Sequence, residues 1–402
     1  MKWKLKDFLD INPKESIKKG TIATKISMEN LLPFQRDILR TERAIFSGGS
    51  KFRNDDTIMA RITPCLENGK RAKVNILRND EIAFGSTEYI VFRAKPTVSD
   101  PDFIYYLVCS DLIREPAIKS MVGSSGRQRV QTDVLENLEL ELPNLEIQQK
   151  IGSLLRTFDD KISLNQKQNN NLEQQAQALI LEFIKKSNKK VPLAELISFT
   201  NGFAFKSSDY LPEGKYKVIT IKNVQDGKVS SQGASCLNML PSKLSPECLL
   251  VKGDVLLSLT GNVGRVGIVT EENLLLNQRV AKINSKDSNL LPFIYFYMRL
   301  PEMKLEMENI SKGTAQQNLS PVETLKLEIA FEKEGICFLS SILKSFFDHI
   351  IYNTTNSQIL ETLRDSLLPK LMSGEIDVSK VKINEILDDS LTDKLSFSEN
   401  KE

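Results

Sequence analysis

The chain has 402 residues, a hydrophobic fraction of 41%, a charged fraction of 26% and a net charge of +2. That length is enough for two or three domains with their own cores, and near-neutrality means that any nucleic-acid binding must come from local basic faces. The single histidine, His349, removes Ser-His-Asp triads and multi-histidine metal sites. Five scattered cysteines without a C-x-x-C leave neither a disulfide framework nor a zinc site.

The start, MKWKLKDFLDINPKE, is charged throughout and lacks the apolar core of a signal peptide. No apolar run approaches the roughly 20 residues a membrane helix needs, so a cytoplasmic protein without membrane contact is expected. There is no G-x-x-x-x-G-K-[ST] phosphate loop, no G-x-G-x-x-G after a strand and no Pro-Pro pair, so catalysis by this chain is not expected.

Residues 1–145 read as a mixed α/β domain. Strand-like runs stand at EYIVFRA (88–94) and LELEL (138–142), and a helix is predicted over 100–122 with Phe103, Tyr105 and Tyr106 on its buried face. Two stretches carry groups suited to DNA. ENGKRAK (67–73) is a turn that offers Lys70 and Arg71 for phosphate contact. GSSGRQRV (123–130) sets the hydroxyls of Ser124 and Ser125 beside Arg127, Gln128 and Arg129. Arginine can take guanine O6 and N7, glutamine can take adenine N6 and N7, and small residues allow close approach to phosphates. A solvated polar loop is the plain alternative for each.

A helix is predicted over 146–186, a second mixed α/β domain over 187–335, another helix over 336–376 and an acidic tail over 377–402. In the second domain strands are predicted at 216–224, 255–259 and 281–284, with a helix over 290–308. Its candidate DNA contacts are Lys206 in GFAFKSSDY, Asn262 and Arg265 in TGNVGR, Arg279 in LNQRV, and Lys312, Thr314, Gln316 and Gln317 in SKGTAQQNLS.

The chain repeats itself. FDDKISLNQKQNNNLE (158–173) returns as FFDHIIYNTTNSQILE (346–361), and GDVLLSLTGNVGRVG (253–267) follows the plan of DDTIMARITPCLENGKRA (55–72). Each predicted helix carries a 4-3 apolar alternation, the mark of a coiled-coil seam. One seam runs through Leu155, Phe158, Ile162, Asn165, Asn169 and Leu172, the other through Leu343, Phe346, Ile350, Asn353, Leu360 and Leu367. The polar centres match, so the helices are expected to pair. A pseudo-twofold axis would make the pair antiparallel, a rod of about 50 Å for seams of about 33 residues.

These stretches, in this order, resemble the specificity subunit of a Type I restriction–modification system over essentially the whole chain. The resemblance rests on ARITPCLENGK, GSSGRQRV, LELPNLEIQQKIGSLLRTFDDKI, GFAFKSSDY, GDVLLSLTGNVGRVG, LNQRVAKI, SKGTAQQNLS and LLPKLMSGEI. It implies an α/β (α+β) fold of two pseudo-symmetric target-recognition domains separated by an antiparallel coiled coil, reading a bipartite DNA target. It implies a non-catalytic chain that binds double-stranded DNA, two adenine methyltransferase subunits and restriction/translocase subunits. S-adenosylmethionine, ATP and Mg are expected on those partners, with no cofactor or metal on this chain. One departure is Arg364, which occupies a seam position where apolar residues prevail. The competing reading is a non-catalytic coiled-coil scaffold with two protein-binding domains, distinguished by the salt dependence that phosphate contacts impose.

Overall fold

The structure, a computed structural model, describes residues 1–311 and 318–380. Lys312, Thr314, Gln316, Gln317 and most of the tail expected at 377–402 therefore lie outside the described residues. The chain divides into two units, one of residues 1–163 and 358–402, the other of residues 164–357.

In the first unit, an antiparallel sheet runs in the order Leu9–Ile11, Tyr89–Ala94, Thr57–Ala60, Arg71–Lys73. A second sheet orders Glu42–Ile45, Ile22–Ile26, Ala83–Gly85 and Lys51–Phe52, with one parallel contact between Ile22–Ile26 and Ala83–Gly85. A ribbon pairs Lys2–Lys4 with Glu139–Glu141. The run Thr57–Ala60 is buried at every position, which is why it reads as continuous and not alternating.

The second unit repeats this plan. Its first sheet runs Ile197–Asn201, Val280–Ser285, Val255–Ser258, Val266–Ile268 and ends in an added strand, Gly227–Lys228. Its second sheet runs Cys236–Leu237, Tyr216–Ile219, Leu274–Leu276, Leu249–Leu250, again with one parallel contact, between Tyr216–Ile219 and Leu274–Leu276. Lys190–Pro192 pairs with Glu328–Ala330 as the ribbon. The duplication visible in the sequence thus extends to strand order and to the sense of each pairing.

The helix predicted over 100–122 is two helices, Pro101–Cys109 and Asp111–Lys119. Asp100 caps the first by accepting from the Phe103 N–H at 2.9 Å, and extended backbone at Ser110 (ψ 161°) ends it. The helix predicted over 290–308 is likewise Leu291–Met298 and Pro301–Ile310. There the break has a covalent cause: Leu300 precedes a proline, which disfavours the helical region at that residue.

The long helices span Leu145–Lys186 and Lys333–Met372, 42 and 40 residues, longer than the seams that betray them. Asn144 accepts from the Ile147 N–H at 3.0 Å and sets the start of the first. Lys333–Met372 is long and apolar enough to cross a membrane by length and composition alone. Its apolar side chains are used otherwise: Leu339, Leu343, Phe347 and Ile350 join the core of the second unit, and Leu360 and Leu371 that of the first.

Candidate nucleic-acid interface

In the first unit GSSGRQRV forms a hairpin tip. The N–H of Val122 donates to Arg129 O at 3.0 Å, the N–H of Arg129 to Val122 O at 2.9 Å, and a tight turn closes from Arg127 N to Ser124 O at 2.9 Å. Gly126 takes a φ of +77°, which side chains other than glycine rarely adopt. Ser124, Ser125 and Arg127 are exposed and Gln128 is half-buried. The hairpin lies against ARITPC, with Thr63 N–H donating to Gln128 O at 3.1 Å and Val130 N–H to Arg61 O at 2.9 Å.

Arg129 is not a free cation. It donates from Nε and Nη2 to the carboxylate of Glu88, with Nη2–Oε1 at 2.7 Å. That hydrogen bond and charge hold the Glu88 carboxyl below the ordinary range and raise the guanidinium in turn.

Lys70 and Arg71 are half-buried, and both head groups make contacts inside the unit. Lys70 Nζ donates to Met28 O at 2.9 Å. Arg71 Nε donates to Cys109 Sγ at 2.8 Å, and its guanidinium carbon lies 5.5 Å from the centre of the Phe34 ring. Burial works against the Arg71 charge, but nearby Cys109 and Tyr105 raise its guanidinium on balance. The partners come from a distant loop and a helix, which a local reading of the turn cannot see.

In the second unit four segments converge. Phe203 N–H donates to Leu276 O and Gln278 N–H to Phe203 O, at 2.9 and 3.0 Å, which ties GFAFKSSDY to LNQRV. Leu259 N–H donates to Arg279 O at 3.1 Å, bringing in the loop that carries Asn262 and Arg265. Leu319 N–H donates to Leu259 O at 2.7 Å, and Thr260 Oγ1 to Asn318 Oδ1 at 3.0 Å. Lys206, Asn262 and Arg279 are exposed and Arg265 is half-buried.

All twelve seam residues are buried or half-buried. The polar ones form a cluster within the second unit. Asn165 Nδ2 donates to Asn353 O, Asn356 Oδ1 and Ser357 Oγ at 3.1–3.3 Å. Asn353 Nδ2 donates to Asn169 Oδ1 at 2.9 Å, and Asn169 Nδ2 to Thr354 Oγ1 at 3.3 Å. In the first unit Arg364, the odd seam residue, is paired with Asp159. Sequence reading missed Glu88, Asp159 and Asn356. Aligning EYI (88–90) with RVA (279–281) by strand register would have marked Glu88.

Comparison with known proteins agrees with this duplicated frame. The Type I restriction modification DNA specificity domain matches twice, at residues 1–174 and 185–361. The chain is 25% identical to the Type I restriction enzyme MjaVIII specificity subunit of Methanocaldococcus jannaschii, covering 74% of this chain and 75% of that protein. It is 23% identical to the HindI specificity subunit of Haemophilus influenzae, covering 72% and 81%. A solved S subunit from M. genitalium aligns over 92% of this chain and 95% of its own at 16% identity and a TM-score of 0.49. The chain belongs to the family of Type I restriction–modification specificity subunits.

Proposed function

We propose that each unit reads one half of a two-part DNA sequence and that the chain itself performs no chemistry. The observation that carries this is the repetition of one sheet topology with different exposed polar side chains in the same local frame. Two readers of different half-sites need a shared scaffold and divergent donors. Phosphate contacts set position and base-edge contacts set sequence. Ser124, Ser125, Arg127, Gln128 and Arg129 serve the first half-site; Lys206, Asn262, Arg265 and Arg279, with Lys312, Thr314, Gln316 and Gln317, serve the second.

The domains run over 1–145 and 187–335, and the two long helices pair as an antiparallel coiled coil between them. Support comes from each unit separately. Asn165 bonds with 353–357 while Asn169 bonds with 353–354, so contacts fall along one helix as they rise along the other. Asp159 with Arg364 continues the same trend. Two methyltransferase subunits and restriction/translocase subunits dock on this frame in the cytoplasm and carry S-adenosylmethionine, ATP and Mg.

The test is a base-modification map. The chain is co-expressed with its methyltransferase partner in a methylation-free host, and methyladenine is located by sequencing. A two-part motif with a fixed gap is expected, one half of which changes when residues 190–335 are exchanged. Absent modification, or a contiguous motif, would refute the reading.

A further inference from the structure

The same backbone frame joins three segments in both units. In the first, Arg61 N–H donates to Glu88 O and Val130 N–H to Arg61 O, both at 2.9 Å, and Ile62 bridges Arg129. In the second, Leu259 N–H donates to Arg279 O, Leu319 N–H to Leu259 O, and Thr260 bridges Asn318. Glu88 therefore corresponds to Arg279, and Arg129 to Asn318. One frame presents Glu and Arg, the other Arg and Asn.

The Glu88–Arg129 pair has a directional geometry. Nε lies 3.0 Å from both carboxylate oxygens and Nη2 lies 2.7 Å from Oε1, so the carboxylate covers one edge of the guanidinium. Nη1 has no partner among the described residues. The Arg129 side chain is 45% exposed while Glu88 is 23% exposed, so the arginine stands outward on a more buried support. Beside it the tip is made of Gly123, Ser124, Ser125 and Gly126, all exposed, which lets another molecule approach the backbone closely.

We propose that Arg129 reads a guanine in the half-site of the first unit and that Glu88 is its positioning residue. Glu88 holds the Nε edge, and the planar fork then points the remaining donors of Nη1 and Nη2 at O6 and N7. Anchoring the side chain beforehand removes much of the rotamer entropy that binding would otherwise cost. The carboxylate also argues against the simplest other use: a phosphate brought to Arg129 would meet the charge of Glu88, whereas a base edge would not. In the second unit Arg279 stands at the place of Glu88 with no ion-pair partner among the described residues, as suits a half-site of different sequence. The inference rests on the reading that the first unit contacts DNA.

The experiment repeats the modification map with the full chain and its methyltransferase partner, carrying Arg129→Lys, Arg129→Ala or Glu88→Gln. Arg129→Lys keeps the charge but not the fork. Under the proposal both arginine variants reduce discrimination at one guanine of the first half-site by at least about five-fold, with the second half-site unchanged. Glu88→Gln weakens the same position less. If Arg129→Lys preserves the motif, or if Arg129→Ala weakens binding to all sequences alike with a salt slope smaller by about one, Arg129 contacts a phosphate and the inference falls. A wild-type chain that directs no two-part modification overturns the proposed function as well; a two-part motif indifferent to these variants overturns this inference alone.

Discussion

Asp159 on the first long helix accepts at Oδ1 from Arg364 on the second, while the Tyr106 hydroxyl donates to Oδ2 at 2.6 Å. The carboxylate and guanidinium side chains are only 5% and 13% exposed. Burial works against the charge of Arg364, but the adjacent carboxylates of Asp159 and Asp365 more than offset it and raise the guanidinium. Arg364→Met leaves a buried charge unpaired and should destabilise the first unit by about 3–5 kcal/mol. The double variant Asp159→Asn/Arg364→Met should recover most of that loss. Trp3, the single tryptophan, packs in the same unit, so its fluorescence during urea unfolding reports the effect.

Acid should act on the same unit through Asp37. Burial alone would push its carboxyl up, but the hydrogen bond and charge of Arg36, with donors from Ser163 and Asn75, hold it below the usual value. Arg36 is 7% exposed and also donates to Asp160 on the long helix at 2.7 Å. A depressed folded value means that the stabilisation is fully present above the unfolded carboxyl's pKa of about 3.9 and is lost as pH falls through the folded one. Trp3 fluorescence from pH 6 to 2 should show the first unit weakening below about pH 4. Asp37→Asn should flatten that limb in part, since Glu81 and Glu88 are held low as well.

The long helices were legible because a 4-3 pattern sustained over many turns has no strand counterpart, and the polar centre stood out against it. Less was legible where the determinants are distant. Lys51–Phe52 and Gly227–Lys228 are two-residue strands, too short to carry a period. Arg364 looked like a flaw in the seam because its partner, Asp159, stands on another helix. The internal partners of Lys70 and Arg71 were not legible because Met28, Phe34 and Cys109 lie far away in sequence. The exposed polar loops were found by composition, but the role of Glu88 required knowing which strands are neighbours.

Gly152 separates helix propensity from packing. A Cβ there would lie 2.8 Å from the Phe103 backbone nitrogen and 2.9 Å from Asp100 Oδ1, so the glycine lets the long helix approach the capped start of Pro101–Cys109. By propensity alone Gly152→Ala should stabilise the helix by about 1 kcal/mol. The nearest contact is with backbone and cannot be relieved by a rotamer change, so overpacking of about 1–3 kcal/mol should win. Thermal unfolding of the variant should show a lower midpoint for the first unit; a higher one would mean that the neighbouring helix yields.

The asparagine cluster should trade stability for uniqueness. Asn165, Asn169, Asn353 and Asn356 are each at most 8% exposed, and their amides find partners across the two helices. A single Asn353→Leu removes the donor to Asn169 and should destabilise the second unit by about 1–3 kcal/mol, because buried polar groups on the facing helix lose their partner. Replacing all four by leucine removes the unsatisfied groups along with the bonds, and the melting temperature should rise. A seam centre without these amides penalises shifted registers and pairing with a second copy less. Light scattering after size exclusion should then show a mixture of association states where the wild type gives one. A quadruple variant with the wild-type distribution of species would show that the apolar layers alone fix the pairing.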